Sequence, residues 1–67
     1  MNLAPVLERK SIGKSLREMR LAAGLSQKEA ARLAKMRPEV LCRLELGQGN
    51  PTIGTIERIV SAIGSRA

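Results

Sequence analysis

The sequence predicts an all-α fold, a compact bundle of four to five helices. Apolar residues recur at every third or fourth position, as in helices, and no segment alternates with the period of two that marks a strand. Phe, Trp and Tyr are absent although 43% of the 67 residues are hydrophobic, so Leu, Ile, Met and Ala must fill the core. That set of residues favours helices, and a chain of this length has room for one core.

The first ten residues differ from the rest of the chain because they show no sustained period. Pro5 and the charged cluster 8–10 predict that segment 1–10 is an N-terminal arm or a loosely packed first turn. The domain proper is then 11–67. We therefore expect the first helix to begin near Ser11.

The first two helices are marked by an apolar face and by a cap. The first should end at Gly24, and the face expected in the core carries Ile12, Leu16, Met19 and Ala23. Ser26 and Glu29 have the Ser-x-x-Glu spacing of a capping box, in which serine and glutamate each accept a backbone amide of the other. A short second helix from Gln27 to Ala34 follows, with Ala30, Leu33 and Ala34 inward.

Pro38 predicts the start of a third helix, because the amide that proline lacks is not needed at a first helical position. Gly47 predicts its end. Leu41 and Leu44 fall on its inner side. The outer side carries Glu39, Arg43 and Leu46.

The loop 48–51 separates the third helix from a fourth helix, which Thr52 caps and Gly64 ends. Its apolar stripe consists of Ile53, Ile56, Ile59, Val60 and Ile63.

The composition excludes most catalytic and metal sites. His and Asp are absent and Cys42 is the single cysteine, so neither an enzyme nor a cofactor is predicted. Twelve Lys and Arg residues against six Glu give a formal net charge of +6. A polyanionic partner is the natural expectation.

A membrane location is not predicted, because no apolar run approaches the roughly 20 residues that a spanning helix needs. Pro5 and Glu8 interrupt the stretch where a signal peptide would be apolar, so a cytoplasmic protein is expected. A basic amphipathic peptide lying on a membrane is a weaker alternative, since the caps and glycine stops divide the chain into packed helices.

The second and third helices, joined by residues 35–37, form a helix-turn-helix, whose second helix can enter the major groove of double-stranded DNA. Three segments follow one another in the order RLAAGLSQKEAARLA, VLCRLELGQGNPT and IERIVSAIG. Through them, Leu16–Gly64 resembles the Cro/CI-type, or XRE-type, helix-turn-helix DNA-binding domain. The resemblance implies a lambda repressor-like fold with helix 38–46 in the major groove.

Residues that open the second and third helices are candidates for phosphate contacts: Ser26, Gln27, Lys28 and Arg37. The resemblance implies that Gln27 holds a phosphate, and a capped helix N-terminus favours the same role. Arg37 stands at the N-cap position of the third helix, where a positive charge suits a phosphate. Capping alone also explains Ser26 and Glu29.

The candidates for base contacts are Glu39, Val40 and Arg43. A guanidinium can bond O6 and N7 of guanine together, which favours Arg43. Val40 can contact a thymine methyl group or complete the edge of the core. Glu39 and Arg43 also have the spacing of an ordinary ion pair. The resemblance further implies a structural ion pair between Arg20 and Glu45.

Three residues depart from the family pattern. Lys35 occupies a turn position where glycine is frequent, so either the turn differs or Lys35 is left-handed. Pro38 replaces a side chain that reads a base in many relatives, and Leu46 replaces a usually polar residue.

The expected function is a sequence-specific DNA-binding transcriptional regulator, a repressor or autoregulator. A homodimer is expected, because two domains on half-sites about 34 Å apart bind more tightly and more specifically than one. The apolar remainder of the fourth helix, near Leu46, is the candidate dimer surface. The alternative is an antitoxin that binds its own operator and a toxin protein.

Overall fold

A computed structural model describes the backbone of residues 4–65 and the side chains of residues 8–65. Its helices are α1 (Ala4–Ala22), α2 (Gln27–Leu33), α3 (Pro38–Glu45) and α4 (Ile53–Gly64). The prediction of an all-α fold is confirmed. Residues 1–3 of the predicted arm and residues 66–67 of the predicted domain lie outside the described residues.

Helix α1 begins at Ala4, so the prediction that it starts near Ser11 is wrong. In the sequence, Pro5 indicates irregular structure, but a proline in the first turn of a helix disrupts no hydrogen bond. The residues from 8 to 10 are good helix formers. Arg9 also fixes this part of α1, because its Nη1 donates to the carbonyl of Gly49, 3.1 Å away.

The hydrophobic core lies where the four helices meet. Leu41 of α3 and Ile59 of α4 are its largest fully buried side chains. The other buried apolar residues are Leu16, Leu25, Ala30, Ala31, Ala34, Leu44, Ala62 and Ile63. They come from every helix, from the loop before α2 and from the turn after it, so one core holds the four helices together.

Met19 is 36% exposed, and its predicted place in the core is wrong. The inward line of α1 passes through Leu16 and Arg20 instead, and both are buried. Residues four apart share a face of a helix, so an inward Arg20 places Met19 on the flank. A hydrophobic pattern does not reveal this, because it assigns an arginine to the solvent side.

Gly13 allows α1 to cross closely over the end of α3. A Cβ atom at this position would lie 2.8 Å from the carbonyl oxygen of Glu45 and still closer to that of Leu44. Both are backbone atoms and cannot move aside like the end of a flexible side chain. The glycine therefore sets the distance between these two helices.

The apolar stripe predicted on α4 is too broad. Ile59 and Ile63 are buried, but Ile53 is 76% exposed, and Val60 is also exposed. Successive residues of a helix point in different directions, so a fully buried Ile59 leaves Val60 outside. The predicted N-cap is present, since the Thr52 hydroxyl accepts the amide of Thr55 at 3.1 Å.

Candidate nucleic-acid interface

Helix α3 has one buried and one exposed side. Leu41 and Leu44 are buried in the core. The exposed side carries the three candidate base readers, Glu39, Val40 and Arg43. Val40 is thus outside the core, and among the described residues neither Glu39 nor Arg43 takes part in an ion pair.

Arg37 precedes α3 as its N-cap residue in an extended conformation and makes no side-chain cap. Pro38 follows at the start of the helix, as predicted. The exposed Arg37 side chain therefore lies beside the N-terminal end of α3.

The N-terminus of α2 is closed by the predicted capping box. The Ser26 hydroxyl accepts the amide of Glu29 at 3.0 Å, and the Ser26 amide donates to Oε1 of Glu29 at 3.2 Å. Lys28 is exposed on the same turn. The cap occupies one lone pair of the Ser26 oxygen and leaves its own O–H as a donor.

Arg20 and Glu45 form an ion pair that joins α1 to α3, and each residue is only 7% exposed. Nε and Nη2 of Arg20 donate to the two carboxylate oxygens at 2.7 and 2.9 Å. Nη1 of Arg20 donates to the carbonyl of Leu25 at 2.9 Å. Such a two-pronged geometry is the strong form of this interaction, and it ties the loop before α2 to both helices.

Gln27 completes this network, because its Nε2 donates to Oε1 of Glu45 at 3.0 Å. A carboxylate only accepts hydrogen bonds, so Glu45 fixes which end of the Gln27 amide faces inward. Nε2 has two hydrogens, and one of them is used here. The half-buried Gln27 side chain is therefore oriented by the protein and does not simply extend into solvent.

Both members of the ion pair have shifted pKa values. Burial by itself would raise the pKa of Glu45, but hydrogen bonds from Arg20 and Gln27 and the positive charges of Arg20 and Arg17 outweigh it, so the pKa is lowered. The hydrogen bond to Glu45 raises the pKa of Arg20, against the opposing effect of burial. Both groups are therefore charged at neutral pH.

The turn between α2 and α3 contains Lys35 in a left-handed conformation, with φ at 58°. This settles the two alternatives that the sequence left open. The amides of Lys35 and Met36 donate back to the carbonyls of Arg32 and Ala31, at 3.1 and 2.9 Å. The pattern is a Schellman motif, in which glycine usually takes the left-handed position.

Arg58 of α4 binds the same turn. Its Nη2 donates to the carbonyl of Ala34 at 2.8 Å and to that of Lys35 at 2.7 Å. A positive charge at the C-terminus of a helix is favourable, because the helix dipole is negative there. Helix α4 thus holds the connection between the two helices of the helix-turn-helix.

A family model described as helix-turn-helix, of the XRE or Cro/CI type, matches residues 16–66, which is more than half of the chain. The chain belongs to this helix-turn-helix family. The family consists of DNA-binding regulatory domains, which indicates a DNA-binding transcription regulator. No curated protein and no solved structure gives a significant match to the chain.

In this helix-turn-helix domain, three arginines have interactions that sequence reasoning missed. Arg17 lies three residues before Arg20 on α1, a spacing that places both on neighbouring parts of one helix, and its charge acts on Glu45. Arg9 and Arg58 reach residues 40 and 23–24 positions away, respectively. No local pattern identifies such distant backbone acceptors.

The described part of the helix-turn-helix domain has neither a metal-binding cluster nor a membrane-spanning helix. The described residues contain no cluster of three or more His, Cys, Asp or Glu side chains that could hold a metal ion. None of the helices in that part of the chain has the length and apolar character needed to cross a membrane.

Proposed function

We propose that this protein is a cytoplasmic, sequence-specific DNA-binding regulator, a repressor or autoregulator, that inserts α3 into the major groove. The division of α3 into two sides carries the proposal. Leu41 and Leu44 anchor one side in the core, while Glu39, Val40 and Arg43 are exposed on the other. The major groove of B-DNA is wide enough for one helix presented in this way.

Each exposed residue of α3 has a chemical group that suits a base edge. Arg43 can donate two hydrogen bonds to O6 and N7 of guanine. Val40 can pack on the methyl group of thymine, and the carboxylate of Glu39 can accept from N4 of cytosine. Arg43 is expected to carry most of the sequence preference, because a good bidentate contact is worth about 1–3 kcal/mol of discrimination.

Phosphate contacts would come from the beginnings of α2 and α3. The donors are the second Nε2 hydrogen of Gln27, the ammonium group of Lys28, the guanidinium of Arg37 and the hydroxyl of Ser26. Glu45 already orients the Gln27 amide through a 3.0 Å hydrogen bond. Binding by such contacts depends on salt concentration but not on base sequence.

The proposal is tested by selecting bound fragments from a pool of random duplex DNA and measuring their affinity by fluorescence anisotropy. We expect one enriched sequence and an affinity that falls steeply with added salt. Arg43→Ala should lose the preference at one base pair and keep the fold. Gln27→Ala should weaken binding to all duplexes alike.

Arg32→Ala is the matched control, because Arg32 is also an exposed arginine but lies in the last turn of α2. It removes the same charge as Arg43→Ala and should leave the base preference unchanged. If the protein enriches no sequence, or if Arg43→Ala and Arg32→Ala alter the preference equally, α3 does not read DNA as proposed.

We further propose that the regulator binds DNA as a homodimer. Apolar side chains on the flanks of α1 and α4 support a protein contact, since Met19, Ala22, Ala23, Val60, Ile63 and Gly64 line a groove between these helices. Sedimentation of the free protein and of its complex should give two chains per operator. Val60→Glu should weaken operator binding without changing the monomer fold, and a Val60→Glu protein that still binds as a pair would exclude this surface.

A second candidate function is an antitoxin. Leu46 is 62% exposed and Ile53 is 76% exposed, and neither lies in the groove just described. A toxin protein bound over both side chains would remove this apolar surface from water. Co-expression with the protein encoded by the adjacent reading frame should relieve growth arrest if this function is correct, and Leu46→Ser with Ile53→Ser should abolish that relief.

A further inference from the structure

We propose that Arg58 is a positioning residue for α3, which holds the turn between α2 and α3 in the geometry that docking on DNA requires. One nitrogen, Nη2, donates its two hydrogens to two successive carbonyls, those of Ala34 and Lys35. These are the first two residues after α2 ends at Leu33. A side chain of α4 is thus bonded to the point at which the chain changes direction.

The turn needs this support because of Lys35. A residue with a Cβ atom is disfavoured in the left-handed conformation, by about five- to thirtyfold in an equilibrium constant. Lys35 nevertheless has φ at 58°, whereas the equivalent positions after α1 and α3 are the glycines Gly24 and Gly47. The Arg58 contacts stabilise the one left-handed turn of the three that lacks a glycine.

The conformation of this turn determines the direction of α3. Only the residues 34–37 separate the two helices, so their backbone angles determine how α3 leaves α2. Met36, in the middle of this segment, packs against the core. Releasing the carbonyls of Ala34 and Lys35 would widen the range of α3 orientations while leaving its buried side in place. Specific docking needs a pre-organised helix, and non-specific phosphate binding needs it much less.

The first experiment uses the protein without DNA and measures amide hydrogen exchange by NMR. Arg58→Met keeps the apolar stem and removes the donors. We expect exchange of the Lys35 and Met36 amides to become roughly tenfold faster, because the variant loses both hydrogen bonds of Arg58 and water replaces them only in part. The amides of Gly24, Leu25, Gly47 and Gln48, which close the other two turns, are internal controls and should not change.

Two variants sharpen this experiment. Lys35→Gly in the Arg58→Met background should restore protection of the turn, because glycine adopts the left-handed conformation without strain. Arg58→Lys should protect it partly, since an ammonium group can donate to both carbonyls. The deciding quantity is the increase in exchange rate caused by Arg58→Met. If this increase is no larger for the Lys35 and Met36 amides than for the control amides, Arg58 does not hold the turn and the inference is overturned.

The second experiment rests on the proposed function. It compares a duplex selected by the wild-type protein with a random-sequence duplex, at a temperature where circular dichroism shows equal helix content in all variants. Arg58→Met should lose roughly tenfold in affinity for the selected duplex and almost none for the random one. The slope of log affinity against log salt should stay the same, and Lys35→Gly should recover part of the loss.

The alternative outcomes separate the two hypotheses. If Arg58→Met lowers the affinity for both duplexes alike and reduces the slope of log affinity against log salt by about one, Arg58 is a phosphate ligand and not a positioning residue. If the wild-type protein selects no sequence, the proposed function and the docking half of the inference fail together. The exchange experiment still decides, without DNA, whether Arg58 holds the turn.

Discussion

The two ends of α2 are each held by an arginine from another helix, but in different surroundings. Before the N-terminus, Arg20 bonds the carbonyl of Leu25 and the carboxylate of Glu45, and the pair is buried. After the C-terminus, the exposed Arg58 bonds only backbone carbonyls among residues 8–65. Each arginine binds the segment that precedes or follows α2. Of the two, only Arg20 has a countercharge and is removed from water.

This difference indicates that the stability of the domain and the direction of α3 depend on different ends of α2. A buried charge whose partner is removed has no water to replace it, so the Arg20 end is decisive for folding. An exposed guanidinium that leaves its carbonyls is replaced by water at small cost. We therefore expect the N-terminal end of α2 to control whether the domain folds, and the C-terminal end to control how α3 is directed.

The largest expected effect comes from breaking the buried pair. Arg20→Met leaves the Glu45 carboxylate without its main partner and the carbonyl of Leu25 without a donor. The free energy of unfolding should fall by about 3–5 kcal/mol, as measured by urea denaturation. For a domain of this size that is enough to unfold a large fraction of the molecules.

The double variant Arg20→Met with Glu45→Leu is the control for this prediction. It removes both charges, so it should be more stable than Arg20→Met alone, because no uncompensated charge stays buried. A single variant as stable as the wild type would show that the pair is screened by water, and the contrast between the two ends of α2 would disappear.

Sequence and family resemblance together anticipated the N-terminal end of α2 and missed the C-terminal end. The capping box of Ser26 and Glu29 is a local pattern, and a resemblance supplied Arg20 with Glu45. Arg58 escapes both approaches, because its acceptors are backbone carbonyls that carry no residue identity. Met19 was misplaced for a related reason, since an inward arginine cannot be recognised from hydrophobic spacing alone.

The next largest effect concerns the contact that holds α1 over α3. Gly13→Ala puts a Cβ atom against the carbonyls of Leu44 and Glu45, so the helices must separate. We expect a loss of about 1–3 kcal/mol in unfolding free energy, the usual range for overpacking a tight contact. Thermal denaturation followed by circular dichroism measures it.

Gly54→Ala is the matched control for this change. Gly54 is in α4, and an added Cβ atom would lie 3.8 Å from Oγ1 of Thr52, which is an ordinary van der Waals contact. Alanine there should stabilise the helix by about 0.5–1 kcal/mol. Equal effects of the two substitutions would mean that α1 and α3 do not approach each other tightly at Gly13.

A smaller effect is expected from removing the cap of α2. Ser26→Ala deletes the oxygen that accepts the Glu29 amide, which should lower stability by about 1 kcal/mol. Ser61→Ala, at an exposed position inside α4, is the control and should be neutral or slightly stabilising. If Ser26→Ala destabilises as strongly as Arg20→Met, the cap and not the ion pair dominates this end of the helix.

The smallest expected effect is the pH dependence of the two ends. Because the pKa of Glu45 is lowered from 4.5, the unfolded chain binds a proton at this residue before the folded domain does as the pH falls. Its contribution to stability is therefore complete above about 4.5 and is lost as the pH falls through the folded value. The effect is small because burial, which acts in the opposite direction, is the largest single influence on the pKa of this carboxyl.

Urea unfolding at several pH values should show a flatter profile of unfolding free energy against pH for Glu45→Gln than for the wild type. Arg58→Met should keep the wild-type slope, since backbone carbonyls do not titrate, and an equally flattened profile in that variant would mean that the two ends of α2 are electrostatically coupled.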